Sequence, residues 1–470
     1  MAPDSRSSSS PADRIALPPP LAECEPLRPS GRYVILAAAF LGWMFSGVQM
    51  ANMTLAARSA TTDFVRNGQA DVQRPLALKG LLGRPPGEVA PPRTAEEETQ
   101  VLKQLVPKWF AWYNAAFLFG AAAGGLFFGW LGDTLGRVKA MGLSIVCYSA
   151  FSGSGYFAMT PEQLLLLRFM AGMGVGGMWP TGIALASEAW PDASRPLLSG
   201  LLGTSANVGI VGFNVLGYFY NVTPDSWRWT MAVGACPMIL GVLVWFICPE
   251  SRLWLAARNS GAAKSKGSSI LAVFQPPLLR LTLIGIALGT IPLLGGWGAT
   301  AWLIAWSDKV HGLADPKAKA FTAIMRASGG TIGSLFGGII AFKLGRRLTY
   351  FLISITALAL GEYICLQLTP SSWSFSAFVF ALGFVSTIFF GWLPLYLPEL
   401  FPTHARATGS GVSFNFGRIL TAFGVLGAGW LTAYFGEDYG RAGSVTMMIY
   451  AVGMIVILFA PDTTKKKLSD

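Results

Sequence analysis

The feature that most constrains this chain is a series of apolar stretches, each close to the ~20 residues a helix needs to cross a bilayer. Twelve are predicted, over residues 33–57, 109–131, 139–159, 163–189, 196–221, 228–248, 278–306, 318–342, 348–369, 373–397, 407–435 and 441–461. With 53% of its 470 residues hydrophobic and 13% charged, a water-soluble fold would lack the charge to cover its apolar surface. An all-α membrane protein is expected. The many glycines and tryptophans suit close helix packing and interfacial anchoring.

The net charge of +11 is no nucleic-acid footprint, because the bases sit in short gaps between apolar stretches, where they carry topology. Cys24, Cys147, Cys236, Cys248 and Cys365 are scattered, and His311 and His404 fall in predicted loops. Neither a metal site, a disulfide framework nor a cofactor is expected. No nucleophile–base pair or phosphate-cradling glycine loop is present, so neither an enzyme nor an ATP-driven pump is expected.

Residues 1–31 read as a disordered cytoplasmic tail, 32–248 as an N-terminal six-helix bundle, 249–277 as a cytoplasmic linker, 278–461 as a C-terminal six-helix bundle, and 462–470 as a second tail. Residues 58–108 read as a long, irregular external loop mixing eight bases, six acids and six prolines. Loops two, four, six, eight and ten carry twelve Lys and Arg against five in the short loops opposite. That bias places both tails in the cytoplasm of a multi-pass plasma or inner-membrane protein.

The two halves repeat. Glu188, Pro191, Arg195 and Gly200 match Glu399, Pro402, Arg406 and Gly411 at an offset of 211 residues. Gly136 and Arg137 match Gly345 and Arg346 at an offset of 209. Equivalent loops on one membrane side mean a parallel six-helix repeat. Each Glu ends a helix, and an Arg seven residues on, or in the neighbouring loop, can pair with it. The expectation is a latch between the halves on the cytoplasmic side, built from Asp133, Arg137, Glu188, Arg195, Arg346, Glu399 and Arg406, with Arg168 as a further gating candidate.

The run Gly129-Trp-Leu-Gly132-Asp133-Thr-Leu-Gly136-Arg137 resembles the loop-2/3 signature of the major facilitator superfamily. Arg168 followed by Gly172, Gly174, Gly176 and Gly177 resembles its fourth-helix motif, and Pro249-Glu250-Ser251-Arg252 is similar to a loop of its sugar porters. The resemblance covers nearly all of residues 32–462. It implies two six-helix bundles rocking about a central site by alternating access. The run from Glu399 to Gly411, continuing to Arg418, resembles the organic anion and metabolite–proton symporter branches, where an eleventh-helix Arg recurs. In the first helix, Gly42–Gln49 holds no carboxylate where many proton symporters of this group have Asp.

Charges inside spans cost roughly 2.5–3.5 kcal/mol at a helix centre, so each needs a reason. Arg326 and Arg418 fall near mid-membrane, and two converging guanidiniums would bind a carboxylate, sulfonate or phosphate. Glu362 is the internal acid that could pair with them instead. Arg168 lies within snorkelling reach of the external surface. Stepping back 211 residues from Arg418 reaches Asn207, and from Arg326 reaches Ala115, beside Tyr113 and Asn114. Gln49, Asn52, Tyr113, Asn114, Asn207 and Asn214 are the neutral polar candidates, with Trp179, Trp297, Trp302, Trp392 and Tyr396 as aromatic ones.

The expected function is secondary transport of a small organic anion such as a carboxylate, by a monomer in the lipid bilayer, with proton symport left open. A porter for a sugar or other neutral metabolite is the alternative, and a non-transporting sensor on a carrier scaffold a second.

Overall fold

A computed structural model describes residues 27–70, 81, 94–190, 195–259, 270–312, 314–402 and 405–463. Residues 1–26 and 464–470 of the expected tails, 71–80 and 82–93 of the expected first external loop and 260–269 of the expected linker lie outside the described residues, as do the side chains of Arg195 and Trp297.

Twelve long helical rods, with a short helix at Arg252–Asn259 between the sixth and seventh, make up most of the described chain. They are α1 (Pro29–Arg66), α2 (Ala95–Thr134), α3 (Arg137–Ser154), α4 (Pro161–Ala189), α5 (Arg195–Phe219) and α6 (Trp229–Ile247). The second set is α7 (Leu279–His311), α8 (Ala318–Leu344), α9 (Arg346–Gln367), α10 (Trp373–Glu399), α11 (Arg406–Tyr434) and α12 (Tyr439–Phe459). Ten of these are long and apolar enough on their own to cross a membrane. The other two are α3, which begins with Arg137 and Lys139, and α4, which holds Arg168 and a run of glycines. The fold is all-α, with twelve helices in two six-helix bundles.

The apolar stretches place the rods but not all of their ends. α1 runs on to Arg66 and α2 begins at Ala95, so both flanks of the expected irregular loop are helix. Outside the hydrocarbon a helix needs caps rather than apolar residues. Thr94 and Glu97 supply a capping box, and Arg66 pairs with Glu98 at 2.9 Å to join the two extensions.

Within each half, helices cross at backbone contact. A Cβ on Gly124 of α2 would lie 1.8 Å from the Met173 carbonyl of α4, and one on Gly176 of α4 would lie 2.0 Å from the Ala121 carbonyl of α2. The second half repeats the crossing: Gly333 of α8 meets the Phe384 carbonyl of α10 at 2.0 Å, and Gly383 of α10 meets the Arg326 carbonyl at 2.1 Å. Without a hydrophobic drive between helices in lipid, such close approach supplies the packing energy. Between halves, α2 packs on α11 and α5 on α8. By the sequence offset, α2 and α8 are equivalent, as are α5 and α11, so the two interfaces mirror each other.

α7 is broken at its middle. Pro292 has no N–H to give the Leu288 carbonyl, and the Tyr350 hydroxyl donates to that carbonyl instead, at 3.1 Å. The next turn, Leu294–Ala299, is a π-helical bulge, and its Gly296 carbonyl accepts from Arg326 of α8.

Candidate functional site

At the centre lies a cavity of about 110 Å³, lined from both halves. Trp43 of α1, Phe117 of α2 and Trp179 of α4 form one wall, with the Trp43 and Trp179 rings 4.8 Å apart. Trp302, Phe390 and Phe414 face them from the second half. Into this aromatic box project four of the expected polar groups: Asn114, Asn207, Arg326 and Arg418. Asn114 lines it rather than its neighbour Ala115, which is fully buried, so the offset of 211 lands one position from the cavity face of α2.

The two arginines are held differently. Arg326 Nη1 donates to the Gly296 carbonyl at 3.4 Å and to Thr300 Oγ1 at 3.5 Å, both in or beside the α7 bulge. Arg418 Nη1 donates across the halves to the Ala121 carbonyl of α2 at 2.9 Å and to Asn415 Oδ1 at 3.2 Å. Its guanidinium stacks 5.0 Å from the centre of the Phe414 ring. Among the described residues no carboxylate pairs with Arg418. Glu362 accepts a hydrogen bond from Ser444 of α12, a local contact at the bundle edge.

A second cavity, of about 580 Å³, lies between α2, α4, α10 and α11 at the loop-2/3 end. It shares Trp179, Pro394, Phe414 and Arg418 with the central one and reaches out to Asp133 and Arg137. The opposite end is closed by aromatic contacts. Phe110 of α2 meets Trp302 of α7 at 5.2 Å, and Trp302 meets Tyr439 of α12 at 5.8 Å. The structure is thus a state approached from the loop-2/3 face.

Other candidates are placed elsewhere, for reasons of packing. Gln49 and Asn52 turn from the cavity to α6, donating to the Gly234 and Thr230 carbonyls at 2.8 and 3.1 Å. Asn214 donates to Ile210 within its own helix. Tyr113 is fully buried against Trp109. Trp392 and Tyr396 pack together inside the second half, with the Tyr396 hydroxyl donating to the Pro461 carbonyl. Arg168 does not snorkel. It is 2% exposed, donates to the Gln49 carbonyl at 3.1 Å and lies 4.4 Å from the centre of the Phe117 ring, tying α4 to α1 and α2.

The repeated Glu and Arg residues do pair, but inside each half. Glu188 pairs with Arg137 at 3.6 Å and Glu399 with Arg346 at 3.1 Å, equivalent partners at the two sequence offsets. Arg137 also pairs with Asp133, Glu188 accepts from Ser251, and Glu399 accepts from Thr463. Glu250 accepts from the Val138 N–H at 3.2 Å and Trp254 donates to the Asp133 carbonyl at 2.8 Å, fastening the linker helix Arg252–Asn259 under the first half. These pairs brace each bundle where the larger cavity separates the halves. Arg406 opens α11 at this same end. Charge and repeat do not mark Asn415, which holds Arg418, nor Trp43, Phe117, Phe390 and Phe414 of the aromatic box, whereas Trp179 and Trp302 are expected aromatics that do line it. An Asn three residues before an intramembrane Arg was the available signal for the first.

The family model for the Major Facilitator Superfamily matches residues 107–425. A putative metabolite transport protein of Haemophilus influenzae is 28% identical over 361 residues, covering 75% of this chain and 86% of that protein. The cis,cis-muconate transport protein of Acinetobacter baylyi is 29% identical over 353 residues, covering 73% and 83%. The inward-open structure of the xylose transporter XylE from E. coli aligns with a TM-score of 0.66 at 16% identity, covering 93% of this chain and 98% of that one. With its paired six-helix bundles and a cavity where they meet, the chain belongs to the major facilitator superfamily and is a multi-pass membrane transporter of small organic solutes.

Proposed function

We propose that the transported solute is a small organic anion, a carboxylate with an apolar or unsaturated body, and that Arg326 and Arg418 bind its charged end. The observation that carries this reading is the pair of buried guanidiniums lining one aromatic cavity. A desolvated guanidinium binds a carboxylate through charge-assisted, bidentate hydrogen bonds. The aromatic wall offers stacking area to the rest of the molecule, and Asn114 and Asn207 supply neutral hydrogen bonds from the first half. A relative named for muconate transport agrees with that chemistry. The loop-2/3 face is the cytoplasmic one, on the Lys and Arg excess, and both termini lie there. The monomer holds a complete cavity.

Uptake of labelled carboxylates and hexoses into vesicles carrying the purified protein tests this. A charged hydrogen bond contributes about 1.5–3 kcal/mol, or roughly 10- to 100-fold in affinity. Arg418→Ala and Arg326→Ala should each weaken anion transport by that much, with Arg→Lys recovering part. Unaltered anion transport in both alanine variants, or hexose counterflow without anion counterflow, overturns the proposal. Repeating the assay at two pH values across the vesicle wall reports whether a proton travels with the anion.

A further inference from the structure

We propose that Arg58, Asp308 and Lys319 form a latch between the halves that holds the face opposite loop 2/3 shut. Arg58 belongs to α1, in the first half; Asp308 ends α7 and Lys319 begins α8, both in the second. Arg58 Nε lies 3.2 Å from one Asp308 carboxylate oxygen and Lys319 Nζ lies 3.3 Å from the other. Lys319 Nζ also donates to the Val222 carbonyl, in the loop between α5 and α6, at 3.3 Å. The group therefore crosses the halves twice. Asp308 and Lys319 side chains are 9% and 3% exposed, Arg58 33%.

Other ion pairs at this end stay within their own half, although Lys317 of the second half faces the Tyr218 ring of the first at 5.4 Å. Arg228 pairs with Asp63 in the first, and Lys309 pairs with Glu437 and faces the Tyr439 ring in the second. Among the described residues, Arg58 to Asp308 is the ion pair that joins the halves here. Beside it, Thr322 Oγ1 donates to Ser307 Oγ at 3.1 Å, fixing α7 to α8 so that Asp308 and Lys319 move as one body.

That division decides how the group behaves on opening. Separation of the halves parts Arg58 from Asp308 and Lys319 from the Val222 carbonyl. Asp308 keeps Lys319, so no buried carboxylate is stranded, and the partly exposed Arg58 turns to water. Opening breaks two contacts without leaving an unpaired buried charge, which makes the group a reversible latch rather than a lock. The three residues stand apart from Arg326 and Arg418, and the proposal holds whatever the solute is.

Thiol accessibility tests it. A cysteine at Thr54→Cys, one helical turn from Arg58 and lining the central cavity, is placed in a chain whose five native cysteines are replaced. A membrane-impermeant maleimide is then applied to each side of sealed vesicles in turn. With the latch intact, labelling from the side opposite loop 2/3 is slow. Asp308→Asn should speed it at least fivefold, and Asp308→Glu should leave it within twofold of the parent. Should Asp308→Asn fold poorly, Arg58→Gln removes the crossing ion pair at the most exposed of the three positions, with the same expected rise. Unchanged labelling in the variant that folds overturns the proposal. No transported substrate enters the assay, so its failure is separate from that of the anion reading.

Discussion

Gly125 of α2 shows how one hydrogen atom admits the candidate ligand of the solute. A Cβ there would stand 2.5 Å from Asn415 Oδ1 and 3.2 Å from Arg418 Nη1. Only a glycine lets Asn415 and Arg418 reach across from α11 to the α2 backbone. The atoms met are the ends of side chains, which can move, so Gly125→Ala should fold and still transport. It should displace the guanidinium from the Ala121 carbonyl and raise the apparent KM several-fold. Gly125→Leu should mimic Arg418→Ala. Uptake kinetics in vesicles check both, and an unaltered KM in Gly125→Leu would detach this contact from the site.

At the element scale, the glycine crossings set the bundles. Gly124 of α2 would drive a methyl group into the Met173 backbone, which cannot yield as a side chain can, whereas a Cβ on Gly129 of the same helix meets nothing within 4 Å. Overpacking of this kind costs about 1–3 kcal/mol. Gly124→Ala should therefore lower the melting temperature of the purified protein by several degrees, while Gly129→Ala leaves it within about a degree. The rods themselves were legible because lipid imposes length and apolarity on every spanning segment, and the repeat because its loops lie at one offset. Rotation about each rod was not. Gln49, Asn52 and Asn114 are all polar groups in apolar helices, yet only Asn114 lines the cavity. Gln49 and Asn52 find carbonyls on α6 that no pattern in α1 announces. Arg326 and Arg418 could be read, because a mid-span charge is costly wherever it points. Lys319 reads as a charge at the very end of a span, and only the packing of α7 and the Val222 loop against it makes it a buried partner.

Over the whole molecule, the paired elements lie where the halves are braced and the unpaired ones where they meet the cavity. Arg137 with Glu188 and Arg346 with Glu399 are equivalent ion pairs, one per bundle, at the end where the larger cavity opens. Arg418 and Asn207 are equivalent positions in α11 and α5 that share the central cavity yet differ in charge. The two kinds of position should separate in one measurement. A ligand that binds the folded protein stabilises it by RT ln(1 + [L]/Kd), about 2.7 kcal/mol at a hundredfold excess over Kd. A transported carboxylate at that excess should raise the melting temperature of the parent protein by several degrees. Glu399→Gln loses its ion pair with Arg346, so it should melt lower without ligand yet show the same rise, because neither Glu399 nor its partners Arg346 and Thr463 line the central cavity. Arg418→Ala should melt close to the parent without ligand and show little rise at the same concentration. If Glu399→Gln loses the ligand-induced rise while Arg418→Ala keeps it, the assignment of binding to the cavity and bracing to the loops is reversed.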